Sequence, residues 1–142
     1  MPTALSQNRP LSLPLALIQP SQLYISTAKL TAVGTWWDPT DLDALTPIPV
    51  VELDGAIVAT DGHTRAFAAY RSGYDAVPVV WDTDELDWEA YRICVDWCCQ
   101  AGIRTVVDLE GRVVSPEDYE VLWLDRCRVM HAQLAERRSR FP

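Results

Sequence analysis

Positive charge is what this sequence most lacks. Of its 142 residues, 12 are lysine or arginine against 20 acidic, for a formal net charge of -8, and Lys29 is the one lysine. A protein held to DNA or RNA through the phosphate backbone needs a basic footprint, so a long nucleic-acid contact is disfavoured. Long apolar runs are missing too. Nothing approaches the ~20 consecutive apolar residues of a membrane helix, and the stretch from Leu11 to Ile18 is short and broken by Pro14. That stretch also lacks the charged start and small-residue cleavage site of a secretory signal, so the expectation is a cytoplasmic protein. Cysteine is modest at four, Cys94, Cys98, Cys99 and Cys127, with no Cys-x-x-Cys pair to begin a zinc set. Three of them fall on one expected helix, where Cys94 and Cys98 share a face. Buried free thiols are the reading, because free cysteine is among the most buried residue types.

What is present suffices for one domain: a hydrophobic content of 49% can supply a single compact core at this length. The first residues, with Pro2 and Pro10 among Ser, Gln and Asn, read as a loose leader over 1–14, with order beginning near Leu15. Ile18 to Ile25 reads as a strand interrupted by Pro20. Ser26 then offers an N-cap for a short helix ending before Gly34, with Trp36 and Trp37 in the following loop. The clearest local pattern is Pro49 to Leu53, then Asp54-Gly55, then Ala56 to Thr60. Two apolar runs around Asp-Gly predict a two-residue hairpin, because both turn positions need positive φ. In that register Leu53 faces Ala56 and Val51 faces Val58. A helix follows from Gly62 until Gly73 stops it, and Val77 to Trp81 reads as another strand, giving a β-α-β unit. Asp84 or Asp87 can cap a further helix ending at Gly102. Ser115-Pro116 opens the last, with Tyr119, Leu122, Trp123, Cys127 and Met130 as its apolar stripe.

The expected fold is therefore a compact α/β (α+β) domain: a small mixed sheet, a hairpin leading into a β-α-β unit, and two C-terminal helices. The divisions are a core over 15–85, a helical extension packed on it over 86–136, and a solvated basic tail over 137–142.

Between Asp38 and Asp96 thirteen acidic residues face only three arginines, Arg65, Arg71 and Arg92. Arg71 and Arg92 suit an exposed helix face; Arg65 belongs to Asp61-Gly62-His63-Thr64-Arg65, where a strand ends and a helix begins. A helix start leaves backbone N–H groups unpaired and adds partial positive charge, which suits an anion. Gly62 lets a phosphate approach the backbone, Thr64 adds a hydroxyl, and Arg65 can grip two phosphate oxygens. His63 can donate to phosphate or move a proton near neutral pH. Asp61 can hold a magnesium ion or orient His63. Each also has a plain structural reading: Asp61 as a helix cap, Gly62 as a turn, Arg65 in a salt bridge with Asp61.

The stretches Ile48 to Gly55, Asp61-Gly62-His63-Thr64-Arg65-Ala66 and Gly73 to Val79 resemble the ParB/sulfiredoxin-like superfamily, over roughly residues 15 to 85. The resemblance implies that this helix start holds the phosphates of a nucleotide, ATP, ADP or CTP. Sulfiredoxins carry a cysteine nucleophile where this chain has His63, which argues against sulfinate repair. The free serine kinases carry Asp-Gly-His-His-Arg, which this chain matches except for Thr64, and so imply phosphoryl transfer to a small molecule with Asp61 and His63 as catalytic groups. Those kinases also use an early acidic residue as base, and no acid precedes Asp38 here. Chromosome-partition members add a DNA-binding helix-turn-helix domain, for which this chain has only two helices remaining. The alternative is a non-catalytic nucleotide sensor read by a protein partner. Ser26-x-x-Lys29 matches the acyl-enzyme pattern without its partner motifs. Lys29 can reach bound phosphates, and Trp36 and Trp37 can stack on a base or cover the core.

Overall fold

The structure, a computed structural model, describes residues 11–141. A five-stranded mixed sheet has the order β1 (Leu11–Pro14), β6 (Ala76–Trp81), β4 (Ile48–Leu53), β5 (Ala56–Ala59), β2 (Ile18–Gln19). A second, two-stranded sheet pairs β3 (Ile25–Ser26) with β7 (Val113–Val114) in parallel. The helices are α1 (Thr27–Trp36), α2 (His63–Arg71), α3 (Trp88–Gln100), α4 (Pro116–Tyr119) and α5 (Asp125–Arg140). A π turn, Glu120–Leu124, joins α4 to α5.

The β4–β5 hairpin forms where Asp54-Gly55 requires it, with φ of 52° and 83°, and Leu53 pairs with Ala56 and Val51 with Val58. The crossover differs from the expected one. β5 is antiparallel to β4 while β6 is parallel to it, so the parallel pair is β4 and β6, and both β5 and α2 lie inside the connection. Alternation along β4 sends Ile48 and Val50 to one face, against Ala66, Phe67 and Ala69 of α2. Val51 and Leu53 go to the other face, where with Val58 they are closed over by Leu86, Tyr91 and Val95. Phe67 is fully buried, an environment that stabilises a large side chain by roughly 1.5–3 kcal/mol.

Four boundaries depart from the sequence reading. Order reaches back to Leu11, because β1 pairs with β6, Leu13 opposite Val77; residues 1–10 of the expected leader lie outside the described residues. The Ile18 to Ile25 strand splits at Pro20 into β2 and β3, which belong to different sheets. α1 runs through Gly34 to Trp36, and Ser26 at its N-cap makes no side-chain capping bond. The basic tail is the last turn of α5: Arg138 reaches Asp87 at 2.9 Å and Glu89 at 3.0 Å, and Arg137 pairs with Glu89. The C-terminal helices share the main core through Tyr119, Trp123, Met130 and Leu134. Leu122, expected in their apolar stripe, is exposed and lies within the π turn. Among the described residues, no helix is long and apolar enough to cross a membrane.

Candidate functional site

The chain leaves β5 at Ala59 and enters α2 four residues later. Gly62 occupies the N-cap position with φ 74°, and no side chain caps the helix. The first intrahelical bond is from the Ala66 N–H to the Gly62 carbonyl at 2.9 Å. The N–H groups of His63, Thr64 and Arg65 therefore precede the ladder and have no partner within the helix. Asp61 is not the cap: its Oδ1 accepts from the Gly62 N–H at 2.8 Å, which leaves Oδ2 at the exposed lip.

Arg65 folds back over this turn. Its Nε donates to the Thr46 carbonyl at 3.1 Å and its Nη2 to the Pro47 carbonyl at 3.0 Å. Two of its five donors are thus taken up by the loop before β4, which leaves both hydrogens of Nη1 and one of Nη2 to offer a ligand. The arrangement explains Gly62. A Cβ there would stand 2.8 Å from Arg65 Nη2 and 3.1 Å from both Arg65 Cζ and Ile48 Cδ1, at a positive φ that side chains disfavour. The alternative of an Arg65–Asp61 salt bridge is not formed.

His63 is 3% exposed. Its Nε2 accepts from the Ser21 backbone N–H at 2.9 Å, and the Ser21 hydroxyl donates to the Ala59 carbonyl at 2.6 Å. A neutral imidazole that accepts at Nε2 carries its proton on Nδ1. Burial pushes the pKa down to about 4, with Asp61 opposing and Arg65 reinforcing the shift. His63 is thus uncharged at pH 7, its Nε2 lone pair fastens the segment after β2 to α2, and its Nδ1–H is the hydrogen it can donate.

These residues line a cleft of about 280 Å³ with Gln22, Lys29, Ala32, Val33 and Trp36. Lys29 and Trp36 come from the exposed face of α1, which lies across the opening. The Lys29 ammonium rests 4.8 Å from the centre of the Tyr119 ring; Tyr119 is buried, so the C-terminal extension supports the lysine. Neither Lys29 nor Arg65 has a carboxylate at ion-pair distance among the described residues. Trp36 is 49% exposed. Trp37 is elsewhere: it is 5% exposed and its indole N–H donates to the Asp41 carbonyl at 2.9 Å, so it covers the core.

Gln22 and Ser21 were not legible as site residues, since nothing local in Ser21-Gln22 signals a contact forty-two residues away. No group of three or more His, Cys, Asp or Glu side chains converges to hold a metal among the described residues. Asp61 alone still suits magnesium, which is commonly held by one or two carboxylates plus the phosphates of a substrate.

No family model and no curated protein matches the sequence. Among solved structures, the chain is similar to protein Atu1540 from Agrobacterium tumefaciens, at 17% identity and a TM-score of 0.43, over 63% of this chain and 48% of that one. The chain thus spans about half of that protein's length, and a likeness this distant carries nothing about the cleft.

Proposed function

We infer that the cleft at the start of α2 binds the phosphate end of a nucleotide, ATP, ADP or CTP. The observation that carries this is that Lys29 and Arg65, two cations without carboxylate partners among the described residues, share one cleft with three helix-start amides in a strongly acidic protein. Such amides and the helix dipole favour an anion, and the two cations add to them. Small-molecule sites span ~300–1,000 Å³, so a cleft of about 280 Å³ takes the phosphates and leaves the base along the rim. Trp36 stands on that rim with half its surface free. The resemblance of Asp61 to Ala66 to the ParB/sulfiredoxin-like motif supports the same assignment.

In this reading His63, Thr64 and Arg65 present their N–H groups, Thr64 adds its hydroxyl, and Lys29 closes from α1. Asp61 would hold magnesium, whose role is to neutralise phosphate charge. Binding without turnover is the main form, because His63 is uncharged and committed to Ser21 through Nε2. It fits a sensor, since Lys29 rests on Tyr119 and links the ligand to the C-terminal helices that a protein partner would read. Phosphoryl transfer to a small acceptor is the second form, favoured by the free carboxylate oxygen of Asp61 at the lip.

Calorimetric titration with ATP, ADP and CTP in the presence of magnesium tests the assignment; no heat from any of the three would overturn it. Incubation with labelled ATP and a pool of amino acids and sugars then separates the two forms, since labelled product requires the second.

A further inference from the structure

On the far side of His63 lies a second cleft of about 240 Å³, which shares His63 and Gln22 with the first and is otherwise lined by other residues. It brings together Cys94 from α3, Cys127 and His131 from α5, and Asp87 at the start of α3, with Tyr91 and Trp123 as walls. Cys127 and His131 are four residues apart on one helix, the spacing that places two side chains on the same face. We propose that Cys94 and Cys127 are a peroxide-oxidisable thiol pair, with Cys127 the sulfur first attacked and Cys94 the one that resolves it into a disulfide between α3 and α5.

The surroundings of the four cysteines single out this pair. Cys98 is fully buried with its thiol on the Gln22 carbonyl at 3.6 Å, and burial pushes its pKa up to about 12. Cys99 turns the other way, with its sulfur beside Gln19 Oε1 at 3.9 Å and Arg104 Nη1 at 3.5 Å. Cys94 is buried and faces the same cleft as Cys127. The interaction between the two thiols raises Cys94 and lowers Cys127 from the ordinary thiol value. Cys127 is half-buried where Cys94 is buried, so a peroxide reaches Cys127 first, and an accessible thiol with a nearby resolving thiol is what reversible oxidation needs.

The chemistry balances with a hydroperoxide as oxidant. Cys127 gives up its proton and its sulfur attacks a peroxide oxygen; an S–O bond forms, the O–O bond breaks, and the departing oxygen takes that proton and leaves as water. The Cys94 sulfur then attacks the Cys127 sulfur; the S–S bond forms, the S–O bond breaks, and hydroxide leaves with the Cys94 proton as a second water. Two thiols lose two electrons in all, and one hydrogen peroxide becomes two waters.

The test is hydrogen peroxide titration of the reduced full chain, followed by alkylation and peptide mapping. The expected result is a mass loss of about 2 Da, a linked Cys94–Cys127 peptide, and Cys98 and Cys99 still alkylated. Cys94→Ser should leave a dimedone-reactive sulfenic acid on Cys127, and Cys99→Ser should oxidise as the parent does. Oxidation first at Cys99, whose sulfur faces Arg104, with Cys94 and Cys127 both still alkylated, would overturn the pair. So would peroxide treatment that leaves all four thiols alkylated. A Cys94→Ser protein without a dimedone adduct on Cys127 would overturn the assignment of the attacked sulfur, and the mapping of the unsubstituted chain does not depend on that variant folding.

Discussion

His63 Nε2 accepts the Ser21 backbone N–H at 2.9 Å, so the one motif residue able to titrate near neutrality is fixed as an uncharged strut between two chain segments. Protonation would place a donor against a donor and a charge in the core.

The consequence is acid sensitivity. With a folded pKa of about 4 against an ordinary 6.5, the unfolded chain binds the proton more tightly between those values. Stability contributed by neutral His63 is then fully present above pH 6.5 and is lost as pH falls through 4. The loss reaches about 3 kcal/mol, since each tenfold weakening of proton affinity on folding corresponds to about 1.4 kcal/mol. Urea unfolding of the parent and His63→Gln between pH 7 and pH 4 checks this: the parent's advantage should shrink toward acid. An advantage independent of pH contradicts it.

Gly62→Ala should cost about 2 kcal/mol or more, since a side chain at positive φ costs roughly 1–2 kcal/mol and the added Cβ meets the Arg65 guanidinium at 2.8 Å. Because Arg65 would have to leave Thr46 and Pro47, the variant should also weaken phosphate binding. Gly55→Ala, where nothing lies within 4 Å, carries the backbone cost alone. Denaturant midpoints of the two variants, with unchanged slopes, make the comparison.

Which features are readable in the sequence follows from the range of each interaction. The hairpin, the helix ended by Gly73 and the Ser115-Pro116 helix start rest on neighbours in sequence, with Ser115 capping the Asp118 N–H at 3.1 Å. The β1–β6 pairing, the splitting of β2 from β3 and the parallel β4–β6 pair depend on distant partners, and no local residue choice encodes them. The same holds within the site. Asp61 to Arg65 stand out as a group, but the commitment of the Arg65 fork to Thr46 and Pro47, and of the His63 lone pair to Ser21, exists only in the folded chain. Trp36 and Trp37 look equivalent in sequence; one residue's rotation puts Trp36 on the cleft rim and Trp37 in the core.

That pair makes a further prediction. Trp37→Ala should destabilise by about 3–5 kcal/mol, as loss of a buried aromatic does, while Trp36→Ala should leave stability within about 0.5 kcal/mol. Trp36→Ala should instead weaken nucleotide binding about tenfold, the scale of one base–aromatic stack, with inorganic phosphate unaffected. Thermal unfolding and calorimetry on both variants check the separation.

Lys29→Ala removes an exposed cation held against Tyr119 at 4.8 Å. Nucleotide affinity should fall roughly tenfold, since a charge-assisted hydrogen bond contributes about 1.5–3 kcal/mol and solvent screens part of it. The parent's affinity should also decline more steeply with added salt than the variant's. Equal salt slopes would remove Lys29 from the phosphate site.

The most direct measurement of the central claim is an amide NMR titration with magnesium–ATP beside the same titration with adenosine. The account predicts that ATP shifts the His63, Thr64 and Arg65 amides together with Lys29, and that adenosine, lacking phosphate, leaves those amides in place. Shifts confined to other parts of the chain, or identical shifts with adenosine, would contradict it.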